Sequence, residues 1–435
     1  MKHSGIPWIG EIPKDWENAR LKNVTKLMKS GGTPDTSNDT FYNENGIPWV
    51  AIGDMCHGSF VKDTQKHLSE YGIADKSLIV FPTGTLLYSI YASIGKVSIL
   101  QTPAAINQAI LAISLNDEYS ELYAKYVLTA IEDYVFSFAN GNTQFNLNAN
   151  IVSNLPIPLP PLSEQQKIAS YLDRKCSEID EMVVLQEKII EELKAYKQSV
   201  ITEAVTKGLN PDVPMKDSGI EWIGEIPENW EKHPFKAFYK TTKGLNITKY
   251  NLVEKGVPVI SYGQIHSKLN TGVGVREELI RFVPEYYLES NPECLSKQYD
   301  LFFADTSEDR EGAGNIVFID TETPIFAGYH TIIARPLEKV KSKYFAYLIK
   351  TDAWRSQIRN KVQGVKLFSI SQKFINQTYI IIPSFQEQQE IADYLDKKCT
   401  EIDSLIKIKQ SKIESLKEYK KSIIYEYVTG KKEVE

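Results

Sequence analysis

The sequence predicts an α+β fold. Two pseudo-symmetric α/β domains are separated by two long helices that form an antiparallel coiled coil. Three observations carry this. Residues 4–17 (SGIPWIGEIPKDWE) return at 218–231 with 11 of 14 positions identical, and residues 164–206 return at 387–429 with 24 of 43 identical. Both long segments carry apolar residues on alternating steps of four and three, which is a heptad seam. Between these anchors the two halves diverge, yet each shows short strand-like runs followed by a helical pattern.

The elements follow in chain order. The first domain spans 1–157 and the first long helix region 158–210; the second domain spans 211–383 and the second helix region 384–435. Within the first domain, Leu78–Phe81, Thr85–Ile90, Lys96–Leu100 and Ala109–Ile113 read as strands and 120–138 as helix. The first long helix follows Pro160-Pro161, with Ser163 and Gln166 as a capping box and Gly208 as its stop. Its seam reads Ile168, Leu172, Ile179, Met182, Ile189, Leu193, Tyr196 and Val200. In the second domain, 300–304, 315–319 and 325–334 are strand-like and 340–361 helical. The second long helix starts at Ser384, with Glu387 three residues on, and carries Ile391, Leu395, Ile402, Leu405, Leu416, Tyr419 and Ile423. Neither helix can bury its stripe alone, and a duplicated unit that closes on itself pairs them antiparallel. That arrangement keeps Cys176 far from Cys399, so no disulfide joins them.

Composition narrows the function. The chain has 435 residues, 24% charged, with a net charge of −6. The local balance runs from −4 over 1–155 to only +2 over 218–383, so no segment is strongly basic. No apolar run approaches the ~18–20 residues of a membrane helix, and the first residues lack a signal-peptide stretch. Both points lead to the expectation of a cytoplasmic protein. The four cysteines are scattered, with no CxxC spacing and no structural zinc implied.

Catalytic signatures are missing. There is no phosphate-binding GxxxxGK. Pro160-Pro161 sits between leucines, without the Asn/Asp-Pro-Pro-Tyr/Phe arrangement of an adenine methyltransferase. Cys56-His57 is an adjacent pair, and adjacency alone gives no thiolate–base geometry. Glu308-Asp309 beside Arg310 fits a solvated or base-reading loop better than a metal nuclease.

The repeated GIPWIGEIPxxW opening and the PIPLPPLSEQQxI run at 156–168, with its partner at 382–391, resemble the specificity subunit of type I restriction–modification enzymes. The resemblance covers essentially the whole chain. It implies two target-recognition domains, each reading half of a bipartite, asymmetric site in double-stranded DNA. It implies as partners two methyltransferase (modification) subunits and motor–nuclease (restriction) subunits. It implies no cofactor in this chain, with S-adenosylmethionine, ATP and Mg on those partners. The competing reading is a coiled-coil scaffold that presents two protein-binding domains and has no DNA role.

Base edges are read by amides, guanidinium groups, amines and carboxylates. In the first half such residues lie in three loops: Gly32, Thr33, Thr36 and Asn38; Tyr88, Ser89, Tyr91, Ser93 and Lys96; and Asn142, Gln144 and Asn146. The second half offers Lys243, Asn246, Thr248 and Lys249, then Tyr262, Gln264 and His266, then Ser307 and Arg310, and lastly Gln363, Lys366 and Ser369. Tyr329 and His330, near a strand end, read equally as packing residues. Arg355, Arg359 and Lys361 read either as phosphate contacts or as a solvated helix face. Ser30-Gly31-Gly32-Thr33-Pro34 is matched by Thr241-Thr242-Lys243-Gly244-Leu245-Asn246 in the second half, so the two half-sites are expected to differ.

Overall fold

The computed structural model describes residues 1–57, 60–91, 93–137, 147–362 and 367–434, without the side chains of Cys56 and His57. The candidates Asn142, Gln144, Asn146, Gln363 and Lys366, and the Cys56-His57 pair, therefore lie outside the described residues. The chain forms two compact units, residues 1–187 with 410–435 and residues 188–409. Each unit joins one domain to half of each long helix.

In unit 1 the main strands are β1 (Thr25–Ser30), β2 (Tyr42–Val50), β3 (Phe60–Val61), β4 (Lys66–Leu68), β5 (Leu86–Ser89), β6 (Val97–Leu100), β7 (Ala105–Ile106) and β8 (Ile110–Leu115). They build a five-stranded sheet in the order β1-β8-β5-β6-β3 and a three-stranded sheet β7-β2-β4. Strand β8 pairs antiparallel on both sides, with Leu111 opposite Ser30 and Tyr88. Its run of apolar residues lacks alternation because both of its faces are covered. Leu111 and Ile113 enter the core beneath the helices. Ile110 and Ala112 enter a second cluster on the other face. The helices α1 (Glu121–Ala130) and α2 (Glu132–Ser137) follow, with Ser120 capping α1. Leu78–Phe81 is not a strand: only Phe81 bridges Ala104, and Ile79 and Val80 face solvent.

The first long helix is α3 (Leu162–Lys207). Its first turn begins at Pro161, whose carbonyl accepts from Glu164 and Gln165 N–H, so Ser163 lies inside the helix rather than at its cap.

Unit 2 repeats this plan with β9 (Tyr239–Lys243), β10 (Val257–Ile260), β11 (Arg281–Val283), β12 (Leu301–Ala304), β13 (Thr306–Ser307), β14 (Ile316–Phe318), β15 (Phe326–Ala327) and β16 (Thr331–Pro336). The sheets run β9-β16-β12-β14 and β11-β10-β15. As in unit 1, the smaller sheet contains a parallel pair: Val259 faces Phe326 as Trp49 faces Ala105. The run 325–334 is broken at Gly328–His330, where His330 takes φ +54°. The expected single helix over 340–361 is two, α4 (Tyr344–Lys350) and α5 (Asp352–Arg359). Thr351 leaves the helix (φ −65°, ψ 148°) to accept the Trp354 N–H as the cap of α5. A short strand β17 (Phe368–Ser369) pairs with β13. The last helix is α6 (Phe385–Val428); here Ser384 does cap, accepting from Glu387 N–H at 3.2 Å.

The helices pair antiparallel within each unit. In unit 1, Asp180 of α3 meets Lys420 of α6 at 2.6 Å, and the Tyr171 and Tyr427 rings lie 4.5 Å apart. In unit 2, Lys197 meets Asp403 at 2.7 Å. Adding 223, the spacing of the helix repeat, turns Asp180 into Asp403 and Lys197 into Lys420, so the two pairs are copies of each other. The seam differs from the apolar reading at five places, one of them where Ile190 (6% exposed) is buried and Ile189 only half-buried. Met182, Tyr196, Leu405 and Tyr419 are about half exposed, and their neighbours Val183, Lys197, Ile406 and Lys420 turn inward. The inward lysines extend their stems along the seam and end on an aspartate across it. Each domain is also tied to its helices: Tyr123 Oη donates to Val428 O and Tyr344 Oη to Val205 O, both at 2.9 Å. Cys176, Cys294 and Cys399 are free thiols, and burial pushes all three up in pKa, which makes them unreactive.

Candidate nucleic-acid interface

In unit 1 the separated candidate loops meet along one rim. The loop after β1 docks on the turn after β7: Gly32 N–H donates to Ile106 O (3.1 Å), and Thr33 Oγ1 donates to the Gln108 side-chain oxygen. That turn touches the loop after β5, where Ile90 N–H donates to Ala109 O (2.8 Å). Leu147 N–H then reaches Ile90 O (3.2 Å), which brings the end of the third loop to the same place. Gly31 makes this docking feasible. A Cβ there would lie 1.7 Å from Ile106 O.

Unit 2 builds the same rim from different side chains. Leu245 N–H donates to Ala327 O (2.8 Å), the counterpart of the Gly32–Ile106 bond, and Gly244 has no room for a Cβ beside Thr331 and Gly328. Asp305 N–H donates to His330 O (3.0 Å), Tyr262 N–H to Tyr329 O (3.3 Å), and Ile370 N–H to Asp305 O (2.7 Å). Four candidate segments therefore converge here as well. The glycine loops differ in sequence but perform the same docking.

The rim of unit 2 is aromatic and acidic. The Tyr262 ring packs edge-on against Tyr329 (5.6 Å), His330 (5.4 Å) and His266 (6.3 Å). His330 Nδ1 lies 3.1 Å from Asp305 Oδ1. Its positive φ is sparsely populated by non-glycine residues, and such strain collects where a surface is shaped for a task. His266 Nε2 lies 2.8 Å from Thr306 O and Nδ1 3.0 Å from the Asn315 side-chain nitrogen. The proton therefore sits on Nε2, and both ring nitrogens are occupied. Tyr262, His266, Glu308, Asp309 and Asn315 line a cleft of about 580 Å³.

Other candidates are corrected by burial. Tyr88 and Ser89 are fully buried because β5 is an interior strand of the five-stranded sheet. The Ser89 hydroxyl donates to Ser93 O and accepts from Lys96 N–H, which shapes the loop from inside. Ser307 is 2% exposed because β13 is covered by β17. Arg355 and Arg359 are half-buried and held by internal partners rather than forming a solvated face, while Lys361 is exposed. Arg355 donates to Ala313 O (3.3 Å) and Glu311 O; Arg359 donates to Glu311 O (2.7 Å) and pairs with Asp352 (2.8 Å) and Glu311 (3.3 Å). Burial, with Arg359 beside it, pulls the Arg355 guanidinium down to about 10, so it stays charged at neutral pH. Asn38 and Gln264 are not buried away: they stay half-buried while holding short helical turns, Asn38 accepting from Thr40 N–H and Gln264 from the Ser261 N–H in a capping box.

The candidates that remain at the surface are Thr36, Tyr91, Lys96, Lys243, Asn246, Thr248, Lys249, Arg310 and Ser369, with Gly32, Thr33, Asn38, Ser93, Tyr262, Gln264 and His266 half-buried. Sequence reasoning missed Gln108 and Asp305. Each follows a short strand by a residue or two, a position any turn residue can take, so only the docking partner reveals them. Among the described residues no group of three or more His, Cys, Asp or Glu could hold a metal ion, and no helix is long and apolar enough to cross a membrane.

Comparison with known proteins agrees over the whole length. The family of the type I restriction modification DNA specificity domain matches residues 13–195 and again 227–418. The MjaVIII specificity subunit of Methanocaldococcus jannaschii is 27% identical over 428 residues, which cover 97% of this chain and 93% of that one. The EcoBI specificity subunit of Escherichia coli is 22% identical over 415 residues, covering 91% and 82%. Among solved structures, a chain of a type I R-M system matches with TM-score 0.74 at 16% identity over 96% of this chain and 98% of that one. The HsdS subunit of Thermoanaerobacter tengcongensis matches with TM-score 0.56 at 15% identity over 99% and 100%. At those identities the structures share the fold. Two family domains, each followed by a long helix, make this chain a member of the type I restriction–modification specificity subunits.

Proposed function

We propose that this chain reads a bipartite, asymmetric site in double-stranded DNA, one half-site per unit, and recruits two methyltransferase subunits, with motor–nuclease subunits joining the full complex. It is a recognition subunit and not the catalyst. The observation that carries the reading is the convergence, in each unit, of sequence-distant loops on one rim built over a rigid two-sheet core. Loops held by a rigid scaffold are where binding residues concentrate. The rims differ in chemistry. Unit 1 presents Thr33, Gln108 and Lys96, and unit 2 presents Tyr262, His330, Glu308 and Asp309, which supports unlike half-sites. In this reading S-adenosylmethionine, ATP and Mg²⁺ are held by the partners, and the complex works in the cytoplasm beside the chromosome.

Charge supports shared affinity. Each phosphate neutralised releases counterions and adds salt-dependent affinity, and a chain of net charge −6 supplies little of that by itself. The isolated chain is expected to bind DNA weakly, and affinity to rise steeply once methyltransferase subunits join. Genome-wide adenine methylation, mapped with and without the gene, tests the function. Loss of a single gapped, asymmetric motif on deletion supports the reading. An unchanged map in cells that express the partner subunits overturns it.

A further inference from the structure

The connection after β12 runs through eleven residues, 305–315, where unit 1 uses seven, 90–96. A longer loop has more freedom to lose on meeting a ligand. In unit 2 that freedom is removed in advance by α5. Arg355 and Arg359 together hold the Glu311 carbonyl, Arg355 holds Ala313 O, and Arg359 pairs with the Glu311 carboxylate. In return Arg310 donates to Arg359 O (3.0 Å) and to the Asn360 side chain (3.4 Å). All three guanidinium groups of this region are thus engaged in shaping the loop. Asp309 closes the turn by accepting from Gly312 N–H (2.5 Å). Glu308 is different. It is exposed, lines the cleft beside Tyr262 and His266, and among the described residues has no hydrogen-bond or ion-pair partner.

We propose that Arg355 and Arg359 are positioning residues for recognition of the second half-site: they lock the 305–315 loop so that the Glu308 carboxylate accepts from the amino group of a base, cytosine N4 or adenine N6. This rests on the DNA-reading function assigned to the rims above. The chemistry is selective. A free carboxylate is repelled by backbone phosphates and gains only where a base-edge amino group meets it, and carboxylates pair with cytosine N4 in the major groove. A flexible loop would lose the discrimination, because its carboxylate could withdraw from a wrong base at no cost. Among the described residues of unit 1 there is no clamp of this form. There Lys96 of the shorter loop faces Glu132 of α2 at 3.9 Å, with the signs of loop and helix exchanged.

The test is methylation mapping in cells whose own gene is replaced by variants, with the partner subunits unaltered. In R355A/R359A the half-site read by unit 1 stays as it was, and the half-site read by unit 2 broadens at one or two positions, with discrimination falling about tenfold. R359K keeps the charge opposite Glu311 but loses the fork, and gives an intermediate broadening. E308A broadens the second half-site at a position also affected in the arginine variant. A general loss of stability cannot produce a change confined to half of one motif. An unchanged motif at full occupancy in R355A/R359A or in E308A overturns the proposal. If the arginine variant fails to fold, methylation disappears altogether and E308A decides, since Glu308 is exposed and among the described residues has no hydrogen-bond or ion-pair partner whose loss could unfold the unit. Deletion of the gene is the parallel control: a methylation map that deletion leaves unchanged overturns the DNA-reading function itself.

Discussion

Replacing Gly31 with alanine is a direct test of how the rim of unit 1 is built. The added Cβ would lie 1.7 Å from Ile106 O and 2.4 Å from its carbonyl carbon, both backbone atoms. A relaxed contact needs about 3.5 Å, so the loop must move away by well over an ångström. That movement breaks the Gly32–Ile106 hydrogen bond, a loss of about 1 kcal/mol. Steric overpacking adds about 1–3 kcal/mol. The expected loss is therefore about 2–4 kcal/mol. For a unit of this size it lowers the melting temperature by roughly 4–16 °C, at about 2–4 °C per kcal/mol. Differential scanning calorimetry of the purified chain measures it, with G53A as control because a Cβ at Gly53 meets nothing within 4 Å. The same substitution at Gly244, where a Cβ would lie 2.2 Å from Thr331 Oγ1 and 2.5 Å from Gly328 O, should destabilise unit 2 for the same reason. If G31A melts within about 1 °C of the unaltered chain and of G53A, the loop is not docked as described and the reasoning fails.

Three further outcomes follow from the geometry. Y344F removes the hydroxyl that donates to Val205 O (2.9 Å) and Ile381 O (3.3 Å), and should cost about 1–2 kcal/mol in chemical denaturation; Y123F should do the same through Val428 O, and an unaffected midpoint would refute the tie. D180K places two lysines together, and K420D should restore the loss in the double variant; with Asp180 about 60% exposed, the coupling is at most about 1 kcal/mol and shrinks in high salt. Burial, with Lys197 nearby, pulls the Lys350 ammonium down from 10.5 to about 8. The unfolded chain therefore binds more protons between those values, and this group's contribution to stability rises with pH from about 8 to 10.5. K350M should raise stability at pH 7 and remove that rise, and a parallel pH–melting curve for the two proteins would contradict it.

Much of this was legible in the sequence because it repeats. The anchors gave two domains, two helices and their antiparallel pairing without any contact being known. The segments of the rim were also found, since amides, hydroxyls and glycines gather where the backbone must turn. What stayed hidden depends on partners distant along the chain. At 196–197 and 419–420 a tyrosine precedes a lysine, and apolarity alone sends the tyrosine inward. The lysine goes instead because an aspartate waits on the other helix. At 182–183 and 405–406 two apolar residues are adjacent, and local hydrophobicity cannot choose between them. Tyr88 and Ser89 carry polar atoms and border a loop, but their strand is interior, so both are buried. Arg355 and Arg359 look like a basic helix face until the acidic loop folds over them.

The exchanged signs of loop and helix bear on how such a gene can recombine. Unit 1 sets a basic loop residue, Lys96, against Glu132, and unit 2 sets Glu311 against Arg359. A crossover within the repeated anchors at 4–17 and 218–231, or at 164–206 and 387–429, moves loop and helix together and keeps each pair matched. A crossover between the loop and the helix would join Glu311 to Glu132, or Lys96 to Arg359, and the hybrid loop would be repelled from its own support. Viable chimaeras of this gene should therefore have their junctions in the anchors, with whole reading domains inherited as blocks.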